Sequence, residues 1–397
     1  MDPNPSIKLK SRLVEWLVVV IALLALIYGA HRYVTDRLGV LRSLYPITIP
    51  LYRINSRCSD ESPAWMRDVL NHAISVQHSP ANQLAYINAS GKLFHCENGW
   101  IGSVWHGKPV ESATRFRYAS LTKVLTADLV LQFINKGMVS MDTRLMSYFP
   151  EIKAGDKRIN DITIEHLLTH SMGLDRLKQS APMTRHNKKP WCPGDLRQLE
   201  SFQLDYAPGS MSTYSNLSYC LLGVVLEKIS GNSYRELMEE YYSLGDKGIK
   251  FIDGPYLDDE VSYDFRYSDF YQENYHEFFD FPALSSSMGL SGSASALASI
   301  VSRVKNRGPL SVTNYQPSGV CDKKRIMHCF GAGLSHYKPE DDGGTFYVQS
   351  GLVYGAASQL VIDGHGGVLV WLGSGMSGNS AESSRVFAEF VYKKLSN

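Results

Sequence analysis

The sequence predicts an α+β fold, an antiparallel sheet flanked by helices with an inserted helical domain, preceded by one transmembrane helix. Three observations carry this reading. Strand-patterned segments stand at both ends of the main region, within residues 84–97 and 346–373, while helical periodicity fills residues 120 to about 245. Ahead of both, residues 13–30 form an apolar run interrupted only by Glu15.

That run is about the length a helix needs to cross a bilayer. Lys8, Lys10 and Arg12 precede it, and Trp16 and Tyr28 sit where interfacial aromatics belong. A cleaved signal peptide is the rival reading. Its only candidate site, Tyr28-Gly29-Ala30, puts a bulky ring where a small residue is required, which favours an uncleaved anchor. Arg32, Arg37 and Arg42 follow the span and almost balance the basic residues before it. The N-terminus is placed inside and the main domain outside, partly on the cysteines. The expected layout is a cytoplasmic tail (residues 1–12), an anchor (13–30), a linker (31–60) and one large domain (61–397) whose helical part covers about 120–284. Pro46 and Pro50 are expected to limit regular structure in the linker.

At the start of the large domain, Asp60, the last linker residue, or Ser62 is read as the cap of a helix through about Val76. Residues 84–88 and 93–97, joined at Ala89-Ser90-Gly91-Lys92, read as a hairpin. A polar loop from Gln179 to Pro193 breaks the helical region. Residues 346–350, 356–363 and 368–373 read as strands, with Asp363-Gly364-His365-Gly366-Gly367 as the turn between the last two. Residues 381–395 form a terminal amphipathic helix.

The chain has 397 residues, 44 % of them hydrophobic, enough for a large core. A formal net charge of +1 gives no sign of a nucleic-acid partner or a strongly acidic substrate. The six cysteines contain no CxxC pair, which argues against zinc and thioredoxin-like chemistry. In an oxidising compartment Cys321 and Cys329 can close a short loop and Cys58 can pair with Cys96, while Cys220, in an apolar helical run, reads as a buried thiol. The alternative, all six reduced and structural, stays open because spacing does not give connectivity.

The chemistry centres on Ser120-Leu121-Thr122-Lys123, which opens an apolar-periodic helix. An i,i+3 pair shares one helix face, so the Lys123 amine can reach the Ser120 hydroxyl and, partly desolvated, take its proton. The same pattern recurs at Ser302 to Lys305, near a helix end, and at Ser335 to Lys338, read as a charged loop. Both copies are read as accidents. Tyr214-Ser215-Asn216 follows the turn Ala207-Pro208-Gly209-Ser210 and enters a helix ended by Gly231. A tyrosine near an ammonium can act as a base, and an asparagine offers both donor and acceptor to an acyl-amide group. Gln349-Ser350-Gly351 ends a strand, its glycine permitting close approach of a ligand.

In this order the pieces resemble the serine β-lactamase and penicillin-binding-protein-like family, especially its class C β-lactamase, D-peptidase and family VIII esterase branch. The resemblance spans roughly residues 61–397. Residues 162–174 are similar to the family's structural helix, Tyr214-Ser215-Asn216 to its second catalytic element, and Gly289-Leu290-Ser291-Gly292 before residues 294–300 to its glycine-leucine turn and helix. It implies a β-lactamase/transpeptidase-like fold and selects Ser120 over the other two copies. Ser120 would be the nucleophile, Lys123 its proton acceptor, Tyr214 a partner in acid and base duty, and Asn216 the residue orienting the substrate carbonyl group. The main-chain N–H groups of Ser120 and Leu352 would form the oxyanion hole. No cofactor is implied.

One departure matters. Where the family carries Lys-Thr-Gly, or His-x-Gly in many esterases and peptidases, this chain carries Gln349-Ser350-Gly351. A neutral amide replaces a cation that helps hold a substrate carboxylate, so β-lactamase activity is discounted. Gln349, Ser350 and Gly351 remain expected substrate-binding residues, with Ser350 able to hydrogen-bond a substrate group.

The remaining features take bland readings. His166 and His170 have the i,i+4 spacing of a metal face, but no third ligand is evident and no metal is expected. His365 reads as part of its turn, and Arg185 to Lys189 as a solvated loop. Residues 256–281, rich in aromatics and acids, read as an insertion of undetermined role. The expectation is a single-pass serine hydrolase of the bacterial inner membrane, its domain periplasmic, acting on a small ester, amide or peptidoglycan-derived substrate. The competing class is a catalytically silent module that binds cell-wall material or a protein.

Overall fold

The computed structural model describes all residues except 1–4, 103–105, 176–188, 268–276, 278, 319–320, 341–343, 354, 377–379 and 397. The chain divides into two units, Met1–Thr48 and Ile49–Asn397. The first contains helix α1 (Pro5–Thr35) and most of α2 (Arg37–Arg53). Within α1, Arg12–Thr35 is long and apolar enough to cross a membrane. The expected irregular linker is instead helical through Arg53. Pro46 and Pro50 each remove one amide donor, but they stand four apart on one helix face, so the rest of the ladder persists.

The second unit begins with β1 (Arg57–Cys58) and α3 (Ala64–Ser75), then the hairpin β2 (Asn82–Ile87) and β3 (Leu93–Asn98). Neither Asp60 nor Ser62 caps α3; Pro63 precedes it without a side-chain cap, and the Ser62 hydroxyl turns back to the Ser59 carbonyl. Short strands β4 (Trp100–Ile101), β5 (Lys108–Pro109) and β6 (Phe116–Arg117) lead into α4 (Thr122–Asn135). The helical region continues with α5 (Ile164–Leu168), α6 (Asn216–Ser230), α7 (Tyr234–Tyr242), the strand β7 (Lys250–Phe251) and α8 (Phe281–Met288). The chain returns through β8 (Leu290–Gly292) and α9 (Ala294–Val304) to β9 (Ser335–Tyr337), β10 (Phe346–Val353), β11 (Ala356–Ile362), β12 (Val368–Gly373) and α10 (Ser380–Leu395).

The main sheet has seven antiparallel strands in the order β1-β3-β2-β12-β11-β10-β9. Its centre joins the two ends of the domain, with Asn82 opposite Gly373 and Ile87 opposite Val368. In β12, Val368, Val370 and Leu372 enter the core shared with α4, α6 and α8, while Leu369 and Trp371 enter the one formed with α3 and α10. Side chains alternate across a strand, so a run apolar at every position is what a sheet covered on both faces requires. A second sheet, β6-β8-β7, sits beside it.

Three local expectations change. Ser335 lies in strand β9 rather than in a charged loop, and its fully buried hydroxyl accepts from the Met327 N–H. Cys220 is not a free thiol: it is bridged to Cys192, as Cys58 is to Cys96 and Cys321 to Cys329. The turn at residues 192–193 brings Cys192 to within 6.3 Å, Cα to Cα, of Cys220, a proximity of the folded chain that spacing does not encode. Part of the acidic-aromatic insertion is a strap behind β6. Asp259 pairs with Arg115, Glu260 with the fully buried Arg117 at 2.6 Å, and the Tyr263 hydroxyl accepts from the Arg117 N–H.

Candidate active site

Ser120 stands at the end of the path from β6, on a single 3-10 turn, Ala119–Leu121, that leads into α4. The turn is tight because Ala119 takes a left-handed backbone, φ 49°, which a small side chain tolerates best. Ser120 and Lys123 still meet, since three residues complete one 3-10 turn and bring i and i+3 into line. Main-chain packing leaves the nucleophile almost no slack. The Tyr118 carbonyl accepts from the Leu121 N–H and the Ser358 hydroxyl. A side chain at Gly351 would place its Cβ 2.9 Å from the Ser120 nitrogen, which is why that strand position carries glycine.

Lys123 is fully buried. Its Nζ lies 3.2 Å from Ser120 Oγ, 2.7 Å from Asn216 Oδ1 and 2.8 Å from the Ser287 carbonyl oxygen. Desolvation pushes its ammonium well below the usual lysine range. A neutral amine has two N–H donors and one lone pair. The Asn216 and Ser287 oxygens are acceptors only, so they take both donors and the lone pair is left for the Ser120 hydroxyl. In this neutral form, which desolvation favours, the amine is oriented as a base at this position needs to be.

Tyr214 brings its hydroxyl to 2.6 Å from Ser120 Oγ, and its ring lies 4.9 Å from Lys123 Nζ. Asn216 is the first residue of α6; with its oxygen on Lys123, its amide nitrogen is the group left to donate to a ligand. Gln349 is buried, and its Nε2 donates to the Ser120 carbonyl at 3.2 Å.

The structure therefore brings Ser120, Lys123, Tyr214, Asn216, Gln349 and Gly351 together, with Leu352 next to Gly351 on the same strand. It does not bring Ser350. Strand parity puts Gln349 and Gly351 on the face toward Ser120 and Ser350 on the other, where its hydroxyl accepts from Gln359 Nε2 at 3.0 Å. The expected substrate contact from the Ser350 side chain is thus withdrawn. Strand β9 pairs only with Phe346, Tyr347 and Val348, so it does not cover the edge of β10 from Gln349 to Val353.

The other candidates fall elsewhere. His365 lies in the β11–β12 turn, its N–H donated to the Asp363 carboxylate. Ser302 is at the end of α9. Residues 185–188 of the basic stretch lie outside the described residues, as do residues 268–276 and 278 of the insertion. His166 caps α5, its Nδ1 accepting from the Thr163 N–H, and His170 accepts from the Ser215 N–H through Nδ1. Among the described residues no cluster of three metal-ligating side chains occurs. Sequence reasoning missed the Ser287 carbonyl, and no side-chain pattern marks a main-chain acceptor.

Comparison with known proteins agrees with this fold. The family model described as Beta-lactamase matches residues 84–370. A Dichelobacter nodosus protein named for fimbrial assembly (FimD, serogroup D) is 34 % identical over 366 residues, covering 92 % of each chain. The D-alanyl-D-alanine-carboxypeptidase/endopeptidase AmpH of Escherichia coli (strain K12) is 31 % identical over 144 residues, 35 % of this chain and 37 % of AmpH. Among solved structures, the D-amino acid amidase from Ochrobactrum anthropi SV3 in complex with D-phenylalanine superposes with a TM-score of 0.66 at 16 % identity, covering 83 % of this chain and 97 % of the amidase.

Proposed function

The chain belongs to the beta-lactamase family and is a serine hydrolase of that related type; from that premise we propose that it is membrane-anchored and works through an acyl-enzyme on Ser120, with an ester or amide as substrate. The observation that carries the reading is the placement of Ser120 Oγ, 2.6 Å from the Tyr214 hydroxyl and 3.2 Å from a buried, readily neutral Lys123.

In the proposed reaction the Ser120 oxygen attacks the substrate carbonyl carbon as its proton passes to Lys123 Nζ. The carbonyl oxygen takes up negative charge, which the main-chain N–H groups of Ser120 and Leu352 would stabilise as an oxyanion hole. The bond to the leaving group breaks as that group receives the proton, relayed from Lys123 through the Tyr214 hydroxyl. Water then attacks the ester on Ser120, giving up a proton to the same pair, which returns it to Ser120 Oγ as the acyl–oxygen bond breaks and the acid leaves. Asn216 orients the acyl side through its amide nitrogen.

Gln349 argues for a substrate that does not depend on a carboxylate anchor, because its amide carries no charge and is already engaged with the Ser120 carbonyl. Anchoring rests on Arg12–Thr35, whose length and apolarity suit a bilayer span. The three disulfides favour an oxidising compartment for the main domain, so the bacterial periplasm is the proposed side.

A second reading, a catalytically silent module that holds cell-wall material or a protein, draws on the fimbrial-assembly name of the 34 % identical relative. The intact Ser120-Lys123-Tyr214-Asn216 constellation counts against it, since a binding module has no need of a desolvated lysine at a serine. Intact mass after treatment with a fluorophosphonate separates the two. A single adduct, absent in Ser120→Ala, is expected; no adduct from folded protein with this probe or with p-nitrophenyl esters would overturn the enzymatic reading.

A further inference from the structure

The segment that carries Tyr214 is gripped on both sides by one residue outside the constellation. The His170 carbonyl accepts from the Thr213 N–H at 2.8 Å, and His170 Nδ1 accepts from the Ser215 N–H at 3.1 Å. The two bonds bracket Tyr214. Between them the imidazole lies against the Tyr214 ring, 4.5 Å between centroids, and against Tyr219 and Phe330, each at 5.1 Å.

His170 is held for this task at some cost. It is 3 % exposed, and its backbone is left-handed, φ 57°, a conformation that is strained for a non-glycine residue. The reversal turns the chain after α5 so that carbonyl and ring face the same segment. An imidazole accepting at Nδ1 is the tautomer with its proton at Nε2. Tyr214 itself comes from an irregular stretch ahead of α6, where no helix or strand ladder fixes its backbone.

We propose that His170 is a positioning residue of the reaction: by bracketing Tyr214 it holds the phenol against Ser120 and sets the entry of Asn216 into α6. It touches neither the substrate nor the reacting atoms. The inference rests on the serine-hydrolase reading above, and it separates this histidine from a purely structural one by what its removal changes. A tyrosine displaced by about 1 Å slows acylation on the order of 100-fold while the surfaces that bind the reagent stay in place.

The test uses the full chain and a fluorophosphonate, with kinact and KI followed by intact mass. His170→Leu keeps bulk but loses the acceptor and disfavours the left-handed backbone; kinact is expected to fall about 10- to 100-fold with KI within about threefold of wild type. His170→Asn places an amide oxygen near the Nδ1 position and tolerates φ > 0, so it is expected to recover kinact to within about threefold. Wild-type kinact in His170→Leu, or a loss in folded His170→Asn as deep as in the leucine variant, overturns the proposal. Should His170→Leu not fold, His170→Gln replaces it: its acceptor lies one bond farther out, so slow acylation beside fast His170→Asn supports positioning and equal rates refute it. Failure of the wild-type protein to react refutes the serine-hydrolase reading instead.

Discussion

Gln349 donates through Nε2 to the main-chain carbonyl of Ser120, 3.2 Å away, so the residue standing where the family has a cation is tied to the backbone of the nucleophile. A lysine there would turn the same position into a charged donor facing the site. A hydrogen bond to a charged partner contributes about 1.5–3 kcal/mol against about 1 for a neutral one. Gln349→Lys is therefore expected to raise kcat/KM for carboxylate-bearing substrates about tenfold, leaving uncharged p-nitrophenyl esters little changed. Nitrocefin turnover by the two proteins checks this, and fast turnover by the wild type would contradict the discounted β-lactamase activity.

Lys123 gives the pH dependence its sign. Burial lowers its folded-state pKa well below the ordinary lysine value, and in the proposed reaction the neutral amine is the base. The rate of Ser120 acylation is then low where the amine is protonated, rises as pH increases through the lowered pKa and levels off above it. Lys123→Ala should remove that rise and reduce the rate about 10²- to 10⁴-fold, the range for a lost general base. A pH series of p-nitrophenyl acetate hydrolysis reads both; a wild-type rate that falls with increasing pH across this limb contradicts the assignment.

Much of this was legible in the residue order, and the exceptions are instructive. The hairpin and the terminal strands are local patterns, and their pairing follows from two apolar edges that must meet. The face of Ser350 is also legible: Gln349 and Gly351 share parity, so a residue between them points away from Ser120. Other features are not local at all. The main-chain carbonyl of Ser287 leaves no side-chain trace, the Cys192–Cys220 bridge exists only once α6 and the residue 192–193 turn are adjacent, and α2 tolerates Pro46 and Pro50 against local preference. His170 was visible as one half of an i,i+4 pair, whereas its actual partner, the Ser215 N–H, lies 45 residues farther on.

His336 sets an acid limit on stability. It is fully buried in β9, neither ring nitrogen has a hydrogen-bond partner among the described residues, and desolvation lowers its pKa from 6.5 to about 4. The unfolded chain binds the proton more readily than the folded one between those values. Stability from this residue is thus full above about pH 6.5, declines as pH falls toward about 4 and is flat below, a loss on the order of 3 kcal/mol. His336→Leu forfeits no hydrogen bond and should flatten that part of the profile. Urea midpoints measured from pH 7 to pH 4 check it; an equally steep decline in the variant would mean other groups carry the acid sensitivity.

The Cys192–Cys220 bridge couples the polar-loop side of the domain to the helix that starts with Asn216. Cys220 lies one turn along α6 from Asn216, and both sulfur-bearing residues are buried. Closing a loop across 28 residues restricts the unfolded chain by about 3.6 kcal/mol in the loop-entropy account. Replacing both cysteines by alanine should lower the unfolding free energy by about that amount in urea titrations, with a somewhat steeper dependence on denaturant because the unbridged unfolded chain exposes more surface. Because the constellation is also held by Lys123 and His170, the fluorophosphonate rate of the folded variant is expected to stay within about threefold of wild type. A large loss of rate without a loss of stability would place the bridge among the positioning elements of the site rather than among the supports of the fold.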